Sequence, residues 1–222
     1  MRIGIALAAA AACLATSAAR ADLIGDGKNW DVATVPNEAA SRFTYPAPGE
    51  VDVESDGSVA FLYREVDPPT SGGVAWNWRV DRSAGNADQF AKGADDRAIA
   101  VHLWFFREGT GADTLFGGVA EFLGYPRISH ALTYVWGGAD RPEGPQANPY
   151  FDSGRIVVLR TEDMPKGEWL PERRDLARDV RAAFGDAVSL QDLKFVAISS
   201  DTDNQGGLAR ARIKDLEWTP RP

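Results

Sequence analysis

The densest group of oxygen-bearing side chains in the chain is the segment Ser200 to Gly207, which reads SDTDNQGG. Asp201 and Asp203 alternate in it and Asn204 follows, a pattern that can supply several of the roughly six to eight oxygen ligands that calcium takes. The segment lacks the internal glycine and final glutamate of an EF-hand loop, so it is not that motif. A turn whose Asp and Asn side chains bind their own backbone is the competing interpretation.

A second acidic pair, Asp95-Asp96, comes directly before the longest apolar run of the chain. If a metal binds, we expect this pair to lie close to the acidic turn, where both would serve one structural calcium ion. No other cofactor is predicted. The predicted metal ligands are Asp95, Asp96, Asp201, Asp203 and Asn204.

Aromatic residues are the other chemical signal, with seven tryptophans and five tyrosines. Soluble β-sandwiches grip sugars by stacking them on such rings, while nearby polar side chains bind the hydroxyl groups. Trp104 alternates with His102 and with small alanines, which favours a shallow groove on that strand face. For at least half of the strand aromatics, core packing is the competing interpretation. The predicted ligand-binding residues are His102, Trp104, Tyr134, Trp136, Trp78 and Arg79.

Signatures of nucleophilic catalysis are missing from the sequence. The two histidines, His102 and His130, have no metal-ligand spacing, no Gly-x-Ser-x-Gly motif occurs, and the one cysteine, Cys13, lies in the leader described below. Paired carboxylates could still hydrolyse a glycoside. In so acidic a chain, pairs of carboxylates are expected by chance, and we predict no catalytic residue. The carboxylate candidates for such an enzyme are Asp95, Asp96, Glu121, Glu172, Asp201 and Asp203.

Short alternating strands separated by turn signals must position these residues. The segment VAWNWRV at 74–80 alternates apolar and polar residues, and RAIAVHLWFF at 97–106 is apolar on both faces, as in a central strand. Asp56-Gly57 between two alternating runs predicts a hairpin. The long Pro- and Gly-rich segment 137–150 predicts a functional or mobile loop. The pattern indicates a mainly β fold, an antiparallel β-sandwich or jelly roll.

Two further features refine this picture. Leu176, Val180 and Phe184 recur at helical spacing, which predicts one amphipathic helix from about 172 to 184, with Pro171 at its start and Gly185 at its end. In the last strand the apolar residues change parity after Ile213. A bulge near residues 214–215 would return the following apolar side chains to the core.

Residues 1–21 are typical of a signal peptide: a short basic start, an apolar run and the small-x-small sequence Ala19-Arg20-Ala21. Cleavage there leaves residues 22–222, predicted as one β-sandwich domain, in the periplasm or outside the cell. The mature chain has 22 basic and 32 acidic side chains, a net charge of −10. Such a charge argues against nucleic acid and anionic lipid as partners. No later segment could span a membrane, and we expect a monomer.

Four segments in the same order resemble a bacterial family known as domain of unknown function 3047. They are Asp95-Asp96-x-Ala98, LTYVW at 132–136, Trp169-x-x-Glu172-Arg173 and the turn that begins at Ser200. The resemblance covers about residues 43–218, departs from the family pattern at Arg174-Asp175 and Gln205-Gly206, and implies export but no activity. The closing strand and its turn are also similar, by analogy, to the end of galactose-binding-like jelly rolls.

These observations predict a non-catalytic, exported binding domain for a carbohydrate or a similar polar ligand. Two alternatives remain open at this point. One is a glycan-acting enzyme that uses two of the carboxylates, and the other is a cell-envelope protein that binds a partner and no small ligand.

Overall fold

The structure, a computed structural model, describes residues 22–70, 72–83, 85, 87–108 and 126–222. The predicted signal peptide and Glu121 lie outside the described residues. No helix among the described residues is long and apolar enough to cross a membrane. The strands are β1 Asp31–Thr34, β2 Arg42–Thr44, β3 Glu50–Asp56, β4 Val59–Glu65, β5 Gly72–Arg82, β6 Arg97–Phe105, β7 His130–Trp136, β8 Gln146–Ala147, β9 Gly154–Arg160, β10 Leu170–Asp175, β11 Leu193–Asp201 and β12 Leu208–Pro220.

Two sheets face each other. The larger has seven strands in the order β1-β4-β11-β6-β7-β9-β8, and the smaller has five in the order β10-β5-β12-β3-β2. Neighbouring strands are antiparallel throughout except for β7 and β9, which run parallel. This architecture confirms the predicted β-sandwich of jelly-roll type.

Packed aromatic side chains fill part of the space between the two sheets. The alternation in β5 turns Trp76 and Trp78 inward, where they meet Tyr134 and Trp136 of β7 at ring-centroid distances of 5.5 and 5.7 Å. All four side chains are at most 1% exposed. Burial of this much aromatic surface contributes to the cohesion between the two sheets.

Strand β6 is the centre of the larger sheet, as its sequence predicted. It pairs with β11 on one side and β7 on the other, and all nine of its residues are buried. Val101 and Leu103 join the core between the sheets, while His102 and Trp104 face the opposite side of the sheet. That outer face carries the cleft described below.

The hairpin predicted at Asp56-Gly57 is wrong. β3 pairs with β2 and β12 in the smaller sheet, and β4 pairs with β1 and β11 in the larger one. The Gly57 turn therefore carries the chain from one sheet to the other. The acidic turn between β11 and β12 crosses between the sheets in the same way, and a hydrogen bond of 3.2 Å from Gly57 N to Gly207 O joins the two crossings.

The helix α1, Leu176–Phe184, begins four residues later than predicted. Residues 172–175 instead form part of β10, because they complete the edge of the smaller sheet beside β5. Asp175 caps the helix by accepting a hydrogen bond from Arg178 N, and Gly185 ends it at φ 61° as predicted. Among the described residues, a single-turn 3-10 helix, Leu190–Asp192, is the other helical segment.

The bulge predicted near the end of β12 is confirmed. The pairing of β12 with β5 shifts register between Lys214 and Glu217, and Asp215 takes a left-handed backbone conformation with φ 54°. Leu216 is consequently fully buried, and Trp218 packs against the core.

Candidate functional site

A cleft of about 480 Å³ lies on the outer face of the larger sheet. Its floor combines apolar and polar side chains from strands β4, β6, β7 and β9. Val35, Pro36 and Glu38 border it after β1, and the loop before β9 borders it elsewhere. The floor residues are Val59, Phe61, His102, Ala131, Thr133 and Ile156.

One end of the cleft is acidic and is organised by Arg97, the first residue of β6. Its Nη1 lies 2.9 Å from Asp95 Oδ2, and its Nη2 lies 3.0 Å from Asp201 Oδ2. Arg97 is only 7% exposed. Burial works against its charge, but the two carboxylates outweigh that effect and raise the pKa of Arg97.

The carboxylate of Asp201 is subject to opposing influences. Burial raises its pKa to about 8, although Arg97 opposes the rise, and the neighbouring Asp203 adds to it. Burial also raises the pKa of Asp96. Two hydrogen bonds that its carboxylate accepts oppose the rise, one from Asn204 N at 3.1 Å and one from Gln205 N at 3.0 Å. Asp96 therefore ties the acidic turn to the start of β6.

The predicted metal ligands are brought together at this end of the cleft. Asp95, Asp201, Asp203 and Asn204 line it, and Asp96 is fully buried behind them. One carboxylate oxygen from each of Asp96, Asp201 and Asp203 lies within 4.8 Å of the others. Oxygens at this spacing suit a hard cation, although Arg97 and two backbone N–H groups already occupy part of their hydrogen-bonding capacity.

Tyr150 forms the aromatic part of the cleft and is 53% exposed. Its hydroxyl group accepts a 2.5 Å hydrogen bond from Gly93 N and donates a 3.0 Å bond to Asn204 Oδ1. Asn148, which also lines the cleft, accepts from the backbone N–H of Tyr150 at 2.8 Å. The ring is thus held in place while much of its surface stays open to solvent.

His102 forms part of the floor and has hydroxyl partners on both ring nitrogens. Nδ1 lies 3.0 Å from Thr133 Oγ1, and Nε2 lies 2.8 Å from Ser199 Oγ. Burial lowers the pKa of His102 well below its ordinary value, so the ring is neutral. Ser199 is fully buried, so this pair cannot serve as a nucleophile and base toward a ligand in the cleft.

Most of the predicted ligand-binding residues lie elsewhere. Trp78, Tyr134 and Trp136 are fully buried between the sheets, and Trp104 is fully buried in the cluster on the outer face of the larger sheet. Arg79 is on the smaller sheet, 2.5 Å from Asp81. Of the six, His102 is the one that lines the cleft.

Two other candidates are also accounted for by local packing. His130 packs against Phe184 at a ring-centroid distance of 5.2 Å. Glu172 accepts hydrogen bonds from Arg160 Nε at 2.6 Å and from Trp78 Nε1 at 3.1 Å.

Tyr150 and Asn148 were missed because they lie in a loop without periodicity. The available signal was the length and the proline and glycine content of residues 137–150, which predicted a functional or mobile loop. That loop ends at the cleft.

The chain matches the family described as "Protein of unknown function (DUF3047)" over residues 28–217. No match was found among curated proteins.

Solved structures of similar overall shape include the xyloglucanase domain of NopAA from Sinorhizobium fredii in complex with cellobiose. It has 7% identity and a TM-score of 0.49, with 85% of this chain and 90% of that chain covered. A family 11 carbohydrate-binding module from Clostridium thermocellum, in complex with a mixed-linked tetrasaccharide, has 8% identity and a TM-score of 0.42, with 90% and 94% covered.

Proposed function

We propose that this chain, which belongs to the DUF3047 family of proteins of unknown function, is an exported, non-catalytic binding domain whose cleft holds a carbohydrate or a similarly polar ligand. One observation carries the proposal: Tyr150 is fixed by two hydrogen bonds through its hydroxyl group, yet is 53% exposed, at a cleft of about 480 Å³. A rigid aromatic ring offers contact area at a small cost in conformational entropy.

The mixture of surfaces in the cleft suits a sugar. A pyranose ring has apolar C–H faces and a rim of hydroxyl groups. Val59, Phe61 and Ile156 supply apolar contacts, while Asn148 and Asp203 supply groups that can bind hydroxyls. The volume falls within the roughly 300–1,000 Å³ that is usual for small-molecule sites.

The state of the acidic groups supports binding without catalysis. Asp95 and Asp201 are held by Arg97, and Asp96 is held by backbone N–H groups. Among the described residues lining the cleft, His102 is neutral and already bonded to two hydroxyl groups.

Export is proposed from residues 1–21 and is tested separately. The expected product in the periplasm or medium is a chain that begins at Asp22, identified by its mass. Retention of the full-length chain in the cytoplasm would contradict export.

Binding is tested by screening oligosaccharides on an array and measuring the affinity of each hit by calorimetry. Tyr150→Ala is expected to weaken binding about tenfold, since an aromatic contact contributes about 0.5–1.5 kcal/mol beyond its buried area. Tyr45→Ala is the matched control, because Tyr45 is 39% exposed and is not among the cleft residues.

Equal affinities of the wild-type protein and Tyr150→Ala would contradict the proposed site. A protein that binds no oligosaccharide but retains a macromolecular partner would favour the cell-envelope alternative. Release of shortened products during the incubations would favour the enzyme.

A further inference from the structure

We propose that the cleft selects glycans that carry a positively charged amino group and rejects those that carry carboxylates. This inference rests on the proposed carbohydrate-binding function and adds the class of sugar. It follows from the charges along the cleft, from a buried carboxylate oxygen that lacks a donor, and from the position of both beside Tyr150.

The described residues lining the cleft include four acids and one arginine. Arg97 is 7% exposed and both of its terminal nitrogens bind carboxylates, so its charge is already paired, although its buried Nε has no hydrogen-bond partner among the described residues. His102 is neutral, since burial lowers its pKa. An incoming carboxylate would therefore meet the carboxylates of Glu38, Asp95 and Asp203 along the cleft, and the cation Lys92 lies instead over the ring of Tyr150, 5.8 Å from its centroid. The four acids are Glu38, Asp95, Asp201 and Asp203.

Asp95 supplies an observation that points directly to a donor from the ligand. The residue is 5% exposed, and its Oδ1 atom has no hydrogen-bond partner among the described residues, although Oδ2 binds Arg97. A buried carboxylate oxygen without a donor is costly. An ammonium group has three N–H donors and makes charge-assisted hydrogen bonds, so it suits this oxygen better than a neutral hydroxyl group does.

The acidic end and the stacking surface are adjacent. Tyr150 donates its hydroxyl hydrogen to Asn204 Oδ1, and Asn204 is the neighbour of Asp203 in the acidic turn. A sugar ring that contacts Tyr150 would therefore place a substituent near the carboxylates. Sites that combine attraction for one ligand with repulsion of another are the usual basis of specificity.

The test uses a ligand series that varies one substituent: oligomers of glucosamine, N-acetylglucosamine, glucose and galacturonic acid, measured by calorimetry at pH 6. We expect the glucosamine oligomer to bind about tenfold more tightly than the glucose oligomer, as charge-assisted hydrogen bonds are about twice as strong as neutral ones. The galacturonic acid oligomer should bind weakest, and added salt should reduce the preference.

Asp203→Asn is expected to remove most of the preference for glucosamine over glucose. Asp186→Asn is the matched control, because it removes the same charge from a side chain that is 88% exposed at the end of the helix. An equal loss of preference in both variants would indicate a general effect of net charge and would overturn the inference.

Two further outcomes separate this inference from the function on which it rests. Equal binding of glucosamine and glucose oligomers would overturn the charge selectivity and leave carbohydrate binding intact. If the protein binds none of the four oligomers and no other glycan on the array, both proposals are overturned.

Discussion

Asp201 can show whether an ion pair or a neutral carboxylic acid holds the acidic end of the cleft. Its Oδ2 lies 3.0 Å from Arg97 Nη2, which favours the charged form. Burial nevertheless raises its pKa to about 8, Arg97 opposes this, and Asp203 contributes to the rise. The two accounts predict different dependences of stability on pH.

The direction follows from the protons bound in each state. An aspartate in an unfolded chain ionises near pH 4, so between about pH 4 and 8 the folded protein holds one proton more than the unfolded chain. The free energy of unfolding therefore falls as pH rises through this range. Integrated from pH 6.5 to 8.5 for a folded pKa of about 8, the loss is about 2 kcal/mol. This window begins at the ordinary pKa of histidine, so buried His102 adds a smaller change of opposite sign, which is common to the wild type and to a variant at residue 201.

The perturbation is Asp201→Asn, because an amide resembles the neutral acid in size but cannot ionise. Urea unfolding should give similar free energies for the two proteins at pH 6.5. At pH 8.5 the variant should be more stable than the wild type by about 2 kcal/mol. Asp186→Asn, at an exposed site, should follow the wild type at both pH values.

Parallel curves for the wild type and Asp201→Asn would refute this reasoning. They would mean that Asp201 is ionised throughout the range as the partner of Arg97. A variant that is less stable at both pH values by the same amount would lead to the same conclusion.

Two further predictions concern the metal and the bulge. Millimolar calcium should raise the melting temperature of the wild type, since a ligand at 100 times its dissociation constant stabilises the folded state by about 2.7 kcal/mol. The double variant Asp201→Ala/Asp203→Ala should lose this effect. An unchanged melting temperature of the wild type would exclude the calcium site. At the bulge, where Asp215 has φ 54°, Asp215→Gly should be more stable in urea than Asp215→Ala by about 1 kcal/mol, because both lose the hydrogen bond to Asn77 but only alanine is strained there. Equal stabilities would show that the backbone at residue 215 relaxes.

The features that sequence predicted well are those with a local period. The alternation that places Trp76 and Trp78 on one face of their strand and the parity change after Ile213 can be read from adjacent residues, since each strand side chain alternates between faces. The alternation did not show that this face is the core, and Trp78 was wrongly assigned to the ligand. The proximity of Asp95-Asp96 to the acidic turn was predicted only on the condition that a metal binds there. The two segments do meet, through hydrogen bonds from Asn204 N and Gln205 N to the carboxylate of Asp96.

The features that sequence missed depend on which sheet a strand joins. The Asp56-Gly57 turn has the composition of a hairpin, but nothing local states that β3 and β4 pair in different sheets. Alternation likewise could not say which face of β7 is the core, so Tyr134 was given to the ligand and packs against Trp76 instead. Tyr150 follows no period, and its place at the cleft depends on the pairing of the parallel strands β7 and β9.

The wide spacing of the cleft residues along the chain has a consequence for the order of folding. The cleft draws on residues from Val35 to Asn204, so it can form only after strands distant in sequence have paired, which is the slow part of folding for such a topology. Partly folded chains should therefore lack the complete site, and a ligand would stabilise only the finished sandwich. Ligand binding would then serve as a direct measure of how much of a population of chains has reached the native state.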